Sequence, residues 1–305
     1  NYDCSIDNVF SPHTFLNFSR VSNLTIINNQ KILLTGKMAL GNKQNDFISI
    51  LNIDGSLDTT FQNRCKGFFT SNYSNVNNVS KVIEGTNNKL LVGGSFKSYN
   101  GIKNLAFTKL DLSGLVDNSL NYAGLSGFNE NSQYNNVNCI LENIDGSIFL
   151  GGYFTKFNNV NVGNLILINA NGTLNTTFNI VNTGFRMDSN VGLVKTILKR
   201  TDGKILVGGN FNSFNGNSVS GLVILNSNGT YYTNYNIGTS VKSMSLQSDG
   251  KLLVCTGSLL KRFLANSTIA DASFVIDSNI SSSSISSFKV QSDDKIYIQG
   301  SFTIN

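Results

Sequence analysis

The residues that could carry out acid, base or nucleophilic chemistry are few in this chain of 305 residues. Its one histidine, His13, stands beside Pro12, and nothing around it resembles the sharp turn that presents a catalytic nucleophile. A single histidine also excludes a metal site built on two histidines. We therefore expect His13 to face solvent and to take no part in catalysis.

The carboxylates fall mainly at positions typical of tight turns. Asp-Gly steps occur at Asp54, Asp145, Asp202 and Asp249. Asp-Gly is favoured where a turn needs a positive φ, whereas a glycosidase needs two carboxylates held roughly 5 to 10 Å apart. These turns also lack the further acidic residues of a calcium-binding loop. The sequence predicts a protein that is not an enzyme and that carries no metal or cofactor.

The four cysteines lack the close spacing of a zinc site or of a small disulfide scaffold. Cys139 and Cys255 lie inside apolar runs, where a small buried thiol is expected. Cys4 and Cys65 lie in predicted loops, and a disulfide between them remains an open alternative.

The charges are scattered along the chain. The formal net charge of +5 arises from 23 basic and 18 acidic residues, without a basic run of the kind that binds nucleic acid. No window approaches the ~18 consecutive apolar residues of a membrane-spanning helix. We expect neither nucleic-acid binding nor membrane insertion.

A short apolar motif recurs six times, at intervals of about 44 to 58 residues, which is typical of a repeat architecture. The repeats start near residues 20, 78, 137, 191, 240 and 286, and their motifs begin at Lys31 (KILLTG), Lys89 (KLLVGG), Ser147 (SIFLGG), Lys204 (KILVGG), Lys251 (KLLVCT) and Lys295 (KIYIQG). Each repeat predicts four short strands, which in the second repeat are 79–84, 89–96, 105–111 and 114–120.

The strands are apolar at consecutive positions, so both faces of each sheet must be covered. We predict an all-β fold, a six-bladed β-propeller of four-stranded antiparallel blades, as a single domain over residues 1–305. The glycine motif would occupy an inner position, where a crowded axis leaves no room for side chains. A stacked β-helix is the alternative, but its coils are usually shorter.

The two ends of the sequence predict how the ring closes. SIDNVF, residues 5–10, resembles the last strand of a repeat, and the chain stops within a sixth repeat at KIYIQGSFTIN. We expect the N-terminal strand to complete the last blade. We also expect the four phenylalanines that follow the glycine motif to be buried: Phe96, Phe154, Phe211 and Phe302.

The repeated pattern DGK-apolar-VGG-x-F…NG, followed by an apolar strand and DGSLD-x-x-F, resembles the delta-60 family of β-propeller repeats. The resemblance is strongest at 87–120, 145–178 and 202–235, and weaker in the other repeats. It implies the propeller fold and says little about activity. It also implies a setting in bacterial secreted or surface proteins or in tail-associated proteins of bacteriophages, hence a virion, extracellular or cell-surface location.

Long connections follow the first three repeats, and their aromatic residues are candidates for partner binding: Phe68, Phe69, Tyr73, Tyr122, Phe128 and Tyr134. Aromatic residues among Ser, Gly and Asn suit recognition loops, although they could instead fasten the loops onto the blades. We expect an interaction module that binds other protein subunits of a larger assembly or attaches to a host surface. A lectin-like propeller that binds a cell-surface glycan is the alternative, and a polysaccharide hydrolase is the least supported.

Overall fold

The computed structural model of the chain describes residues 20–27, 30–40, 43–69, 79–120, 128, 135–178, 183–276 and 280–304. In these ranges the regular secondary structure is almost entirely β-strand, joined by turns and loops. No helix there is long and apolar enough to span a bilayer. The chain divides into two compact units: unit 1 comprises Asn1–Ile148, Phe157–Asn159 and Asn169–Thr173, and unit 2 comprises Phe149–Lys156, Val160–Ile168 and Leu174–Asn305.

Unit 1 consists of short antiparallel strands that follow the repeats. Its elements in chain order are β1 (Arg20–Ile27), β2 (Lys31–Leu40), β3 (Lys43–Leu51), α1 (Thr59–Arg64), β4 (Phe68–Phe69), β5 (Val79–Gly85), a 3-10 turn (Thr86–Asn88), β6 (Lys89–Gly94), β7 (Ser98–Tyr99), β8 (Ile102–Lys103), β9 (Phe107–Asp111) and β10 (Asn135–Glu142). Two main sheets have the strand orders β1–β2–β3 and β5–β6–β9, and a smaller sheet has the order β4–β7–β8.

The elements that follow lie mostly in unit 2. They are β11 (Ile148–Phe154), β12 (Lys156–Phe157), β13 (Val160–Asn161), β14 (Leu165–Ile168), β15 (Phe185–Met187), β16 (Asn190–Val191), β17 (Leu193–Lys199), β18 (Ile205–Asn210), β19 (Ser213–Phe214), β20 (Asn217–Ser218), β21 (Gly221–Leu225), β22 (Tyr231–Asn236), β23 (Ser243–Leu246), β24 (Leu252–Cys255), β25 (Leu260–Phe263), β26 (Ile280–Val290) and β27 (Ile296–Ile304). The main sheets have the strand orders β10–β11–β14, β17–β18–β21–β22, β23–β24–β25 and β26–β27. The smaller sheets are β12–β13 and β16–β15–β19–β20.

Each of the six predicted repeats corresponds to one main sheet, and each sheet contains one copy of the glycine motif. In five of these sheets the motif strand lies between two other strands: β2, β6, β11, β18 and β24. These five motif strands therefore occupy equivalent positions in their sheets, whereas the sixth motif strand, β27, pairs with β26 in a two-stranded sheet. The closure of six blades by residues 5–10 stays a prediction, because that segment lies outside the described residues.

Consecutive apolar residues in a strand face opposite ways and enter different cores. In β24, Leu252 and Val254 belong to a cluster with residues of β21 and β22, whereas Leu253 and Cys255 belong to a cluster with residues of β25 and β26. The same strand thus closes two cores, because side chains alternate across a sheet. The predicted burial of both faces is confirmed for this sheet.

The first glycine of each pair packs closely against the chain of the next repeat. A Cβ on Gly93 would lie 2.7 Å from Cγ1 of Val137, and a Cβ on Gly208 would lie 2.8 Å from Cγ1 of Val241. Both distances are shorter than ordinary contacts, so a side chain fits only if its neighbour moves. The crowding observed at these glycines thus comes from the next repeat, and the expected position near a crowded axis stays a prediction.

The sequence predicts a fourth strand in each repeat, and the structure forms this strand only in part. In the first three repeats it is reduced to single bridges, from Leu57, Val116 and Leu174 to the preceding strand. After Leu57 the chain turns into α1, because the Asp58 side chain accepts hydrogen bonds from the amides of Thr60 and Phe61. A complete fourth strand, β22, occurs in the fourth repeat.

The Asp-Gly steps form tight turns, as predicted, and they satisfy their own polar groups. In the turn from Asn143 to Ser147, the Asn143 side-chain amide donates to Ser147 Oγ at 2.9 Å, and Ser147 Oγ donates to Asp145 Oδ1 at 2.6 Å. Gly146 supplies the positive φ, 78°. The same side-chain bond from Asn to Ser or Thr recurs at Asn52, Asn169 and Asn226.

Candidate functional site

A short hairpin follows the glycine motif in several repeats and forms a small sheet of its own. In the second repeat, β7 and β8 form the hairpin, and β4, from the connection before it, pairs with β7 through Phe68–Tyr99 and Phe69–Ser98. In the fourth repeat, β19 and β20 form the hairpin, and β15 pairs with β19 in the same way. The connection and the hairpin are therefore held together by backbone hydrogen bonds.

An aromatic cluster anchors each of these small sheets. In unit 1 the Phe68 ring lies 4.6 Å from the ring of Phe96 and 4.7 Å from that of Tyr99, between centroids. All three rings are buried, and the Tyr99 hydroxyl donates to the Gly114 carbonyl oxygen at 2.7 Å. Burial raises the pKa of Tyr99, which therefore stays protonated and remains a donor.

Unit 2 contains the same aromatic cluster at equivalent positions. The Phe185 ring lies 4.6 Å from each of the rings of Phe211 and Phe214, and all three are buried. In the third repeat, Phe128 forms a bridge to Phe157, with ring centroids 5.2 Å apart. Offset and tilted ring pairs at these separations stabilise beyond simple burial. The anchor is thus a property of the repeat.

An asparagine fixes the chain just before the anchoring ring. The Asn100 side chain accepts a hydrogen bond from the Lys66 amide at 2.6 Å and donates to the Arg64 carbonyl oxygen at 2.7 Å. Asn215 accepts in the same manner from the Gly184 amide at 2.9 Å. Both asparagines have positive φ, which Asn tolerates better than most residues. The asparagine of the hairpin's Asn-Gly turn therefore also holds the connection that precedes the repeat.

The candidate partner-binding residues are distributed between the interior and undescribed segments. Phe68 and Phe128 are each 1% exposed, so their side chains act as anchors of the small sheets. Phe69 is half-buried. Tyr73, Tyr122 and Tyr134 lie outside the described residues, and partner contact through them stays a prediction.

An anchoring role was one of the two alternatives that the sequence left open for these aromatic residues, and a signal in its favour was present. A Gly-Phe step precedes the second, third and fourth glycine motifs, at Phe68, Phe128 and Phe185. Comparison of the connections with one another would have identified these residues as repeat positions. Phe96, Phe154 and Phe211 are buried as predicted, and the side chain of Phe302 lies outside the described part.

The second strand of each hairpin is its exposed part. Ile102 and Lys103 are both exposed in β8, with Ile102 at 59%. Val160 and Asn161 are exposed in β13, and Ser218 is exposed in β20. The anchored positions keep an aromatic residue from repeat to repeat, whereas the two residues of the second strand change from Ile-Lys to Val-Asn to Asn-Ser. Each hairpin thus combines a constant inner side with a variable outer side.

Ion pairs join the glycine motif to the end of the same repeat. Lys89 Nζ lies 3.1 Å from Asp117 Oδ2, and Lys31 pairs with Asp58. Burial alone would raise the pKa of Asp117, but hydrogen bonds from Ser119 and Lys89 outweigh it and hold this pKa below its ordinary value. Asp58 and Asp117 are thus each paired with a lysine of the same repeat.

Within the described ranges, the other residues that could carry out chemistry are not grouped into a site. Cys139 and Cys255 are buried, as predicted, and so is Cys65. Cys4 and His13 lie outside the described residues, so the Cys4–Cys65 alternative stays open. Among the residues that the structure describes, no group of three or more His, Cys, Asp or Glu is arranged to hold a metal ion.

Comparison with known proteins agrees with this fold. Residues 86–120, 145–178 and 200–230 match the family model described as Domain of unknown function (DUF5122) beta-propeller. These segments contain the second, third and fourth glycine motifs. No curated protein matches the sequence.

Solved structures with a similar fold come from B. thetaiotaomicron. The extracellular domain of BT3049, described as a hybrid two component system, has a TM-score of 0.60 at 15% identity over 96% of this chain and 34% of its own. The extracellular domain of BT4673, described as a one component system, has a TM-score of 0.55 at 16% identity over 93% of this chain and 32% of its own. This chain therefore spans about a third of the length of those chains. The likeness shows the fold alone: the chain is an all-β protein with a β-propeller-like fold.

Proposed function

We propose that the chain is a non-enzymatic interaction module that displays its hairpins to protein subunits of a larger assembly. The observation that carries this proposal is the division of each hairpin into an anchored inner strand and an exposed outer strand. Loops and hairpins carry function when a rigid scaffold holds them. The buried ring at Tyr99 and the exposed pair Ile102–Lys103 are an example within one hairpin.

Two further observations support an extracellular or cell-surface setting. The structures of similar fold are extracellular domains of proteins described as one or two component systems. The resemblance to delta-60 repeats adds bacterial surface proteins and bacteriophage tails. We propose within this setting a display module of a surface protein or virion that takes part in adhesion to a host.

The test is site-specific photo-crosslinking on hairpin β7–β8, with the protein produced in its native cells or particles. A photoreactive amino acid at Ile102 should give a discrete adduct with one protein, to be identified by mass spectrometry. The matched control is Ile144, which is fully exposed in the tight turn 143–147 and lies outside the hairpins of the small sheets. Equal adducts from both positions, or an adduct from position 144 alone, would refute display by the hairpin.

A binding measurement with the identified partner completes the test. The double variant Ile102→Ser, Lys103→Ser should weaken binding at least tenfold without a change in melting temperature, because both side chains are exposed. A glycan array addresses the lectin-like alternative. Selective binding to one glycan class, together with unchanged protein binding by the double variant, would replace our proposal with carbohydrate recognition.

A further inference from the structure

One face of the sheet β26–β27 in unit 2 carries exposed polar and aromatic side chains. In the pairing of these strands, Lys289 lies directly opposite Tyr297. Ser287 lies opposite Gln299, two residues further along each strand. Side chains that are opposite each other, or two residues apart in one strand, lie on the same face of a sheet. The four residues therefore form one block, the β26–β27 face, and all four are exposed, with Tyr297 at 58%.

The opposite face of the same two strands is ordinary core. Phe288, Ile296 and Ile298 pack against a buried cluster that includes Leu253 of β24. Alternate residues of β26 and β27 thus hold the sheet in place, and the residues between them form the β26–β27 face.

The position of Tyr297 is apolar and buried in every other repeat. It is the third residue of the motif, and each of its counterparts is at most 2% exposed: Leu33, Leu91, Phe149, Leu206 and Leu253. The residue opposite is also apolar in the second and fourth repeats, where Ile83 and Leu198 stand in place of Lys289. The sixth repeat has therefore exchanged an apolar packing face for a polar one.

Gln299 makes the same face unsuited to packing against a further repeat. It occupies the motif position of Gly93 and Gly208, where a Cβ would already lie 2.7 and 2.8 Å from a valine of the next repeat. A glutamine side chain leaves no room for such a valine. Packing would also bury Lys289, which forms no ion pair among the described residues. The exchange thus calls for a polar occupant.

The chemistry of the β26–β27 face matches a sugar that carries an acidic group. An exposed tyrosine offers a flat, rigid contact area at low cost in entropy, on which the C–H face of a sugar ring can lie. Ser287 Oγ donates to Gln299 Oε1 at 3.1 Å, which orients the amide so that its Nε2 group can donate to a ligand. The Lys289 ammonium, without a carboxylate beside it, suits a carboxylate or sulfate group.

We propose that the β26–β27 face binds an acidic glycan, a saccharide chain that carries carboxylate or sulfate groups. A sugar ring stacks on Tyr297, Lys289 donates to the acidic group, and Gln299 donates to a sugar hydroxyl. This surface is separate from the hairpins, so the proposal does not depend on the hairpin display proposed above.

The test is a glycan array that includes acidic and neutral glycans, followed by calorimetric titration at constant ionic strength. The titration uses three probes: oligogalacturonate, its neutral methyl ester, and a chondroitin sulfate oligosaccharide. We expect an acidic probe to bind with a Kd at least about tenfold lower than that of the methyl ester, because the ester cannot form the charged hydrogen bond to Lys289. Comparison of the two acidic probes distinguishes a carboxylate from a sulfate as the preferred group.

Variants decide whether the β26–β27 face is responsible. Tyr297→Ser and Lys289→Gln should each weaken binding about tenfold or more, whereas Tyr297→Phe keeps the ring and should stay within about threefold. Tyr232→Ser is the matched aromatic control, since Tyr232 is 53% exposed in the same unit but has Lys204 over its ring. Lys242→Gln removes an exposed lysine of the same unit, and both controls should leave the Kd within about twofold.

Absence of binding to every acidic glycan, or losses in the two controls equal to those in Tyr297→Ser and Lys289→Gln, would overturn the proposal. So would a fall in the melting temperature of Tyr297→Ser as large as that of a buried-ring variant without any glycan binding, because the face would then be packed against protein. The double variant Ile102→Ser, Lys103→Ser should bind the glycan as the wild type does. Failure of the hairpin display and failure of the glycan site are thus distinguishable.

Discussion

Truncation of Phe68 to alanine tests whether the long connections carry anchors or free contact surfaces. The ring is 1% exposed and packs against Phe96 and Tyr99 at 4.6 and 4.7 Å between centroids. Replacing a buried phenylalanine with alanine costs about 3 to 5 kcal/mol, because apolar contacts are lost and a cavity remains. We expect a loss of this size in the free energy of unfolding, a large share of the stability of an average domain.

The assay is urea unfolding followed by both fluorescence and circular dichroism, with hydrogen exchange to locate the loss. Two variants calibrate the result. Phe68→Leu retains most of the volume and should cost less than about 1.5 kcal/mol. Ile102→Ala lies in the same small sheet but at a site 59% exposed, and it should change stability by no more than about 0.5 kcal/mol.

The reasoning fails if Phe68→Ala costs as little as Ile102→Ala. Such a result would mean that the ring is not an anchor in solution. Partner contact through Phe68 would then become the better explanation of why the connection keeps an aromatic residue there. A loss of at least 3 kcal/mol with unchanged partner binding by a refolded variant would leave the anchor as its sole role.

Three further predictions concern the packing, the charges and the turns. Gly208→Ala should destabilise by about 1 to 3 kcal/mol in urea unfolding, because its Cβ would clash with Thr196 and Val241. Adding Val241→Ala should recover the part of that loss that comes from Val241, and additive losses in the double variant would contradict this packing. The pKa of Asp117 is lowered in the folded state, so the stability that this carboxylate provides is present at neutral pH and is lost as pH falls below about 4. The melting temperature of Asp117→Asn should therefore vary less with pH than that of the wild type. An identical pH profile would refute the stabilising role of the pair between Asp117 and Lys89. Asn100→Gly retains the positive φ but loses two side-chain hydrogen bonds, so unfolding curves should show a loss of about 1 to 3 kcal/mol in the free energy of unfolding. Asn100→Ala should lose more, because alanine disfavours the positive φ. An unchanged stability of Asn100→Gly would show that the side chain does not hold the connection.

The main sheets and the turns could be predicted from the sequence because their signals are local or repeated. The motif at Lys89 recurs, and its apolar run is long enough to identify a strand. Asp145-Gly146 carries its own turn chemistry, independent of the rest of the fold. Burial of Phe96 followed from its fixed offset after the paired glycines.

The remaining features depend on contacts that a single segment does not reveal. Strands of two residues, such as Ser98–Tyr99, are too short to show any periodicity. The last strand of the first repeat becomes a helix because one side chain, that of Asp58, caps it. Phe68 looked like a loop aromatic because its burial depends on pairing with a hairpin about 30 residues later in the chain.

The Lys–Asp pairs have a consequence for how such a chain can grow. Lys31 pairs with Asp58, and Lys89 pairs with Asp117, so both members of each pair belong to a single repeat. A gene segment duplicated from one long connection to the next therefore copies a repeat whose buried charge is already matched. A repeat cut between its motif and its end would instead lose one of the two charges and leave a carboxylate without its ammonium.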